Sequence, residues 1–228
     1  MSYKIIECKT KAEWLNGRKL SGTRAYSLLS NNARNTKQQV YRYIFNLEEE
    51  KDISEETIVK FGRMAEPHIR SLFGLMYPDY EITSPKTLDD DGCIEMYVNE
   101  EQPFMTATID GMILDKELDR KGILEIKTAT INSVASAKKW DNQVPIEYYA
   151  QILHYLLVMG DEFQFCVLVA MLKYPKKYDE EDVYVIKQYK FERSNLLKDL
   201  KILKDKENEF IAEYLEKRIE PPLTITLE

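Results

Sequence analysis

Between residues 122 and 128 the chain reads Gly-Ile-Leu-Glu-Ile-Lys-Thr, an apolar strand pattern interrupted by Glu125 and Lys127 two positions apart. Side chains two apart on a strand share a face, so both charges point one way and Ile126 points to the core. Just upstream, another apolar stretch ends in Thr108-Ile-Asp110-Gly111. The spacing predicts paired strands over 104–110 and 122–128, joined through 115–121, with two acids and an ammonium gathered on one face. A stable core avoids that arrangement. Two carboxylates about 4 Å apart repel by roughly 4 kcal/mol at an effective dielectric near 20, so they share a proton or recruit a cation. The bland alternative is a surface hairpin with a cross-strand Glu–Lys pair, since Glu-x-Lys alone is common.

Periodicity places this pair in a larger order. Ile58, Phe61, Ala65, Ile69, Phe73 and Met76 recur at helical spacing, which predicts a helix over 55–76, with Pro67 bending it or marking a break after Glu66. A second helix is expected over 146–159, with Tyr149, Ile152, Leu156 and Met159 on one stripe. Short helices are expected over 11–16, 22–30 and 36–46, and short strands over 80–83 and 94–98. Strands over 163–172 and 183–191 flank an acidic turn at 179–182. The chain closes in an amphipathic helix over 194–218, its charges read as a solvated face. This order predicts an α/β (α+β) fold, a central mixed sheet flanked by helices, in a single domain spanning 1–228.

Composition narrows the setting. The three cysteines, Cys8, Cys93 and Cys166, are scattered and lack the paired spacing of a zinc or iron–sulfur site. No apolar stretch approaches the roughly 20 residues that span a bilayer, and no signal-like core opens the chain. A cytoplasmic protein with no membrane partner is expected. The net charge of -7 is unevenly spread: residues 1–43 carry nine basic side chains and two acids, leaving the remainder strongly acidic. Such asymmetry suits either a solvated basic helix face or a local positive surface for a polyanion.

Oxygen-only ligands such as Asp110 and Glu125 favour Mg²⁺ or Mn²⁺, and the Ile126 backbone carbonyl adds a third oxygen. Lys127 could then hold or help deprotonate an attacking water, or stabilise charge on a phosphate. That is the chemistry of metal-assisted phosphodiester hydrolysis.

Further residues stand in order around this pair. Glu66 lies mid-helix upstream, Gln151 lies on the helix downstream with Tyr155 four residues later, and Trp14-Leu-Asn-Gly-Arg18 precedes Ser21-Gly-Thr23. The set resembles the PD-(D/E)XK nuclease superfamily, whose core is restriction-endonuclease-like, and more closely the phage lambda exonuclease and YqaJ-like viral recombinase family. The similarity runs from residue 14 to about residue 155. It departs from the family pattern at Ile109, where a proline is usual, and at Thr128, where Cys or Ser is common.

This resemblance implies a catalytic set of Asp110, Glu125, Lys127, Glu66 and Gln151. Asp110, Glu125 and the Ile126 carbonyl would bind the main metal, and Glu66 would ligate a second or hold its water shell, giving one or two ions per site. Gln151 would orient Lys127 or the nucleophile. Arg18, with Thr23 and Thr108, would bind the 5′-phosphate of a DNA end, and residues 1–50 would form a basic helical part contacting that end. The implied activity is 5′→3′ hydrolysis of one strand of linear double-stranded DNA, leaving 3′ overhangs for a single-strand annealing protein. A homotrimeric ring of phage or prophage origin is the implied assembly. The alternatives are an endonuclease of restriction or repair type and a catalytically inactive DNA-binding module of the same fold. His68 is expected to face away from the site, and His154 to pack or to touch DNA. Tyr148, Tyr149 and Tyr155 are expected mostly in the core, and Trp14 as an anchor or channel border.

Overall fold

In chain order the elements are β1 (Tyr3–Cys8), α1 (Lys11–Gly17), β2 (Leu20–Ser21), α2 (Gly22–Leu29), α3 (Lys37–Ile44), α4 (Thr57–Met76), β3 (Tyr80–Thr83), α5 (Leu88–Asp91), β4 (Ile94–Asn99) and β5 (Met105–Ala107). There follow β6 (Gly111–Asp115), β7 (Arg120–Thr130), α6 (Val134–Lys138), α7 (Ile146–Met159), β8 (Phe163–Tyr174), β9 (Val183–Glu192) and α8 (Leu197–Phe210), which runs into a π-helical turn, Ile211–Leu215. The computed structural model describes residues 3–31, 33–176 and 181–223, so the acidic turn expected at 179–182 lies partly outside the described residues.

The fold is α+β with two mixed sheets where one central sheet was expected. The first is ordered β1-β4-β5-β2 and the second β3-β6-β7-β8-β9. In the second, β7 pairs parallel to β8, while β6–β7, β3–β6 and β8–β9 are antiparallel. β8 reads as an almost continuous apolar run because both of its faces are covered. On one face Ala65, Ile69 and Phe73 of α4 pack against Leu124, Ile126, Val167 and Val169. On the other, α7 shares a core with Ile123, Leu168 and residues of α2 and α8.

Four expectations need correction. The strand partner of β7 is 111–115 and not 104–110: Gly111 stands opposite Leu124 and Asp115 opposite Arg120. Residues 105–107 pair with β4 and β2 in the other sheet, so Thr108, Ile109 and Asp110 form the crossing between sheets. Second, α7 is buried all round from Ala150 to Met159, because sheets and helices surround it. Third, α4 runs without a break through Pro67, which cannot donate to the Arg63 carbonyl but leaves the helix intact on both sides. Fourth, the closing helix expected over 194–218 starts at Leu197, after a 3₁₀ turn, and one of its charges, Glu207, is buried.

β1 escaped the periodicity because it is an edge strand whose Lys4, Ile5, Ile6 and Glu7 are all exposed, so nothing alternates. The three cysteines are free and buried. Among the described residues no helix is long and apolar enough to cross a membrane.

Candidate active site

The crossing at 108–110 brings the expected residues together. Asp110 Oδ2 accepts from the Ile126 amide at 2.7 Å, which places the aspartate beside β7 immediately before the start of β6. A strand residue's N–H and C=O point to the same side, so the Ile126 carbonyl also points to this edge, beyond the end of β6. Glu125 is buried on the α7 face, where its Oε1 accepts from Gln151 Nε2 at 2.8 Å and forms an ion pair with Lys127. Lys127 Nζ lies 5.1 Å from the centre of the Tyr148 ring, a cation–π contact that gives this half-buried tyrosine a place at the site.

Gln151 donates again, to Tyr155 Oη at 2.7 Å, and Tyr155 donates to the Thr108 carbonyl at 2.8 Å. Thr108 Oγ1 in turn accepts from Trp14 Nε1 at 3.0 Å. The Trp14 ring carries the Arg18 guanidinium 5.2 Å from its centre, and Arg18 also donates to the hydroxyls of Ser21 and Thr23. These side chains line a cavity of about 200 Å³ that also reaches Thr108 and Tyr155. Gly22 makes the arrangement possible: a Cβ there would stand 2.7 Å from both Gln151 Cγ and a Tyr155 ring carbon.

Glu66 reaches the site from α4, on the opposite face of the sheet. Its carboxylate pairs with Arg70 one helical turn on, and Arg70 Nε donates to the Asp110 carbonyl at 2.8 Å. Arg70 was not anticipated, although an arginine four residues after a helical glutamate is a readable signal. Tyr155 was read as core; it is buried, yet its hydroxyl bridges Gln151 and Thr108. His68, expected to face away from the site as a partly buried histidine, is exposed. His154 points away from the carboxylates, with Nδ1 2.6 Å from Glu207 Oε1 and Nε2 3.0 Å from the Thr106 carbonyl, and serves packing between α7 and α8.

Electrostatics follow from crowding acids out of water. Burial first, then the charge of Asp110, pushes the Glu125 carboxyl up to about 8. The same two causes push Glu66 up to about 7, and burial raises Asp110. Burial works against the Lys127 ammonium, but Glu125 and Asp110 outweigh it and raise its pKa. Around Arg18, burial and then the neighbouring Arg24 pull the guanidinium below its ordinary value. Its hydrogen bonds go to neutral hydroxyls, so the cavity holds a half-buried cation suited to an anion.

Residues 13–162 match the family described as the YqaJ-like viral recombinase domain. The chain belongs to that family. The side chains that line the site, from Trp14 to Tyr155, fall within the matched segment of this YqaJ-like domain. The Bacillus subtilis (strain 168) protein YqaJ, itself uncharacterised, is 37% identical over 86 residues, which are 36% of this chain and 25% of that protein. The chain thus covers about a quarter of that relative's length. In fold, the YqaJ-like domain is similar to an alkaline exonuclease, LHK-Exo, from Laribacter hongkongensis, at TM-score 0.58 and 17% identity over 91% of this chain and 97% of that one. The same exonuclease in complex with dAMP matches equally. A SOX–DNA complex matches at TM-score 0.51 and 8% identity, over 91% of this chain and 67% of that one.

The donor set of the YqaJ-like domain fits a hard divalent cation. Glu125 Oε2 is buried with no hydrogen-bond partner among the described residues, an oxygen left free beside Asp110. No three His, Cys, Asp or Glu side chains among the described residues form a ready-made metal cage. Mg²⁺ and Mn²⁺ are ions that take one or two carboxylates and keep several waters. Asp110, Glu125 and the Ile126 carbonyl would hold it, with Glu66 joining through the water shell.

Proposed function

We propose that this YqaJ-like domain is a Mg²⁺- or Mn²⁺-dependent exonuclease that degrades one strand of linear duplex DNA in the 5′→3′ direction from a 5′-phosphorylated end. The observation that carries this reading is the unbroken run of contacts from Glu125 through Gln151, Tyr155, Thr108 and Trp14 to Arg18. It holds a candidate metal carboxylate in register with a half-buried arginine, which a nuclease acting from a terminal phosphate requires and a generic hydrolase does not. Family membership, the fold shared with an alkaline exonuclease crystallised with dAMP, and the fold shared with the DNA-bound SOX protein support a nucleic-acid substrate.

Arg18, with the Thr23 and Thr108 hydroxyls, binds the terminal phosphate and sets the register of the scissile bond. The bound cation supplies Lewis acidity to the phosphodiester and to the attacking water. Lys127, held by Glu125 and the Tyr148 ring, directs its ammonium at that water or at the charge growing on the phosphate. Gln151 keeps the Glu125 carboxylate turned toward the edge of β7. A homotrimeric ring enclosing the duplex and an annealing protein that takes up the 3′ overhang complete the reading. The exposed apolar side chains Ile58, Met64, Leu75 and Met76 on α4 support association with further copies.

Digestion of 5′-phosphorylated linear, 5′-hydroxyl linear and closed circular duplexes, with Mg²⁺ or with EDTA, tests the proposal. The phosphorylated linear duplex should be degraded fastest and only with metal, and Arg18→Ala should erase the preference for phosphate. Degradation of the closed circle would instead make the protein an endonuclease, and activity in EDTA would remove the metal.

A further inference from the structure

We propose that Arg70 is a positioning residue for the metal-binding acids: a single guanidinium grips the Glu66 carboxylate and the Asp110 main-chain carbonyl, and so sets the spacing between helix α4 and the crossing at 108–110. This rests on the metal-dependent reading of the site. The two acids arrive from different elements, Glu66 from a helix over one face of the sheet and Asp110 from the crossing between sheets. Their charges repel, and Arg70 contacts both segments. Arg70 is half-buried between them, its Nε donating to the Asp110 carbonyl at 2.8 Å while its terminal nitrogen pairs with Glu66.

Only a planar fork can make both contacts. Guanidinium donors diverge in fixed directions, so Nε and a terminal nitrogen reach two acceptors at once, whereas a lysine ammonium is a point charge on a flexible stem. The contact to Asp110 is to its main chain, which leaves the aspartate carboxylate free to accept from the Ile126 amide and to face the cation. Arg70 thereby adds positive charge beside the carboxylates without occupying Asp110's own oxygens.

Mn²⁺ alone is the probe, titrated calorimetrically into the full chain and into Arg70→Lys, Arg70→Ala and Asp110→Asn, with circular dichroism to confirm folding. Supporting partners of metal ligands typically contribute about 10–100-fold to metal affinity, so both Arg70 variants are expected to bind Mn²⁺ weaker by that factor. On DNA they should lose kcat with little change in KM. Asp110→Asn should abolish Mn²⁺ binding. Unchanged affinity in Arg70→Lys would mean that charge alone suffices, and it overturns the two-point role. Should Arg70→Ala fail to fold, Arg70→Lys decides alone. Failure of the unsubstituted chain to bind Mn²⁺ removes the metal reading, and this inference with it.

Discussion

Tyr155 donates its hydroxyl to the main-chain carbonyl of Thr108 at 2.8 Å while accepting from Gln151 at 2.7 Å. One phenol thus ties the helix that positions Glu125 to the crossing that carries Asp110. Tyr155→Phe removes only that oxygen and keeps the ring in the core. The Thr108 carbonyl and the Gln151 amide each lose a partner in a buried setting, where an unmet polar group costs about 1–3 kcal/mol. Urea denaturation should show a loss in that range. DNA cleavage should fall together with discrimination for a 5′-phosphate, since both halves of the site share the link. Full stability with full activity would show that the hydroxyl connects nothing of consequence.

Lys127→Ala is expected to lower the cleavage rate about 10²–10³-fold, the usual loss when one charge-stabilising donor is removed from a reacting site. DNA affinity, measured by fluorescence anisotropy in Ca²⁺, should change little, because Lys127 is a single half-buried cation facing the carboxylates. Equal losses in binding and cleavage would reassign it to holding DNA.

Glu125 and Glu66 set a pH dependence for the metal-free protein. Their folded-state pKa values, about 8 and about 7, lie above the ordinary 4.5, so the folded state binds more protons than the unfolded chain between those limits. Their contribution to stability is complete below pH 4.5 and is lost as pH rises through 7 and 8. In EDTA the melting temperature should therefore decline across this window. Added Mn²⁺ should raise it more at pH 8 than at pH 6, because the cation replaces the protons. A rise independent of pH would place the ion elsewhere.

Gly22→Ala should disturb the site from outside it. The new methyl would meet Gln151 Cγ and Tyr155 at 2.7 Å, so α2 must retreat from α7 or the glutamine must turn away from Glu125. Overpacking of this kind costs about 1–3 kcal/mol. Activity should drop as well, whereas Gly74→Ala, whose nearest neighbour is an Ile82 methyl at 3.5 Å, should retain it. Equal behaviour of the two variants, followed by melting and by nuclease assay, would dismiss the close approach at Gly22.

Sequence alone determined the local periods and the order of the charges. Ile58, Ala65, Ile69 and Phe73 marked α4, and Glu125 with Lys127 marked one face of β7, because side-chain spacing along a helix or strand is a property of the segment itself. It also placed Glu66, Asp110 and Gln151 in the order that a family resemblance could use. Only the tertiary structure decided that 111–115 pairs with β7 while 105–107 joins another sheet, since pairing is a long-range choice. The same holds for what Tyr155, Arg70 and Glu207 do. Their partners lie 47, 40 and 53 residues away, at Thr108, Asp110 and His154, and no local pattern encodes a contact at that distance. Glu125 was legible because strands repeat every two residues, and Glu66 because it sits inside a clear helical period. The framework that holds them together was not, because it exists only where two sheets and four helices meet.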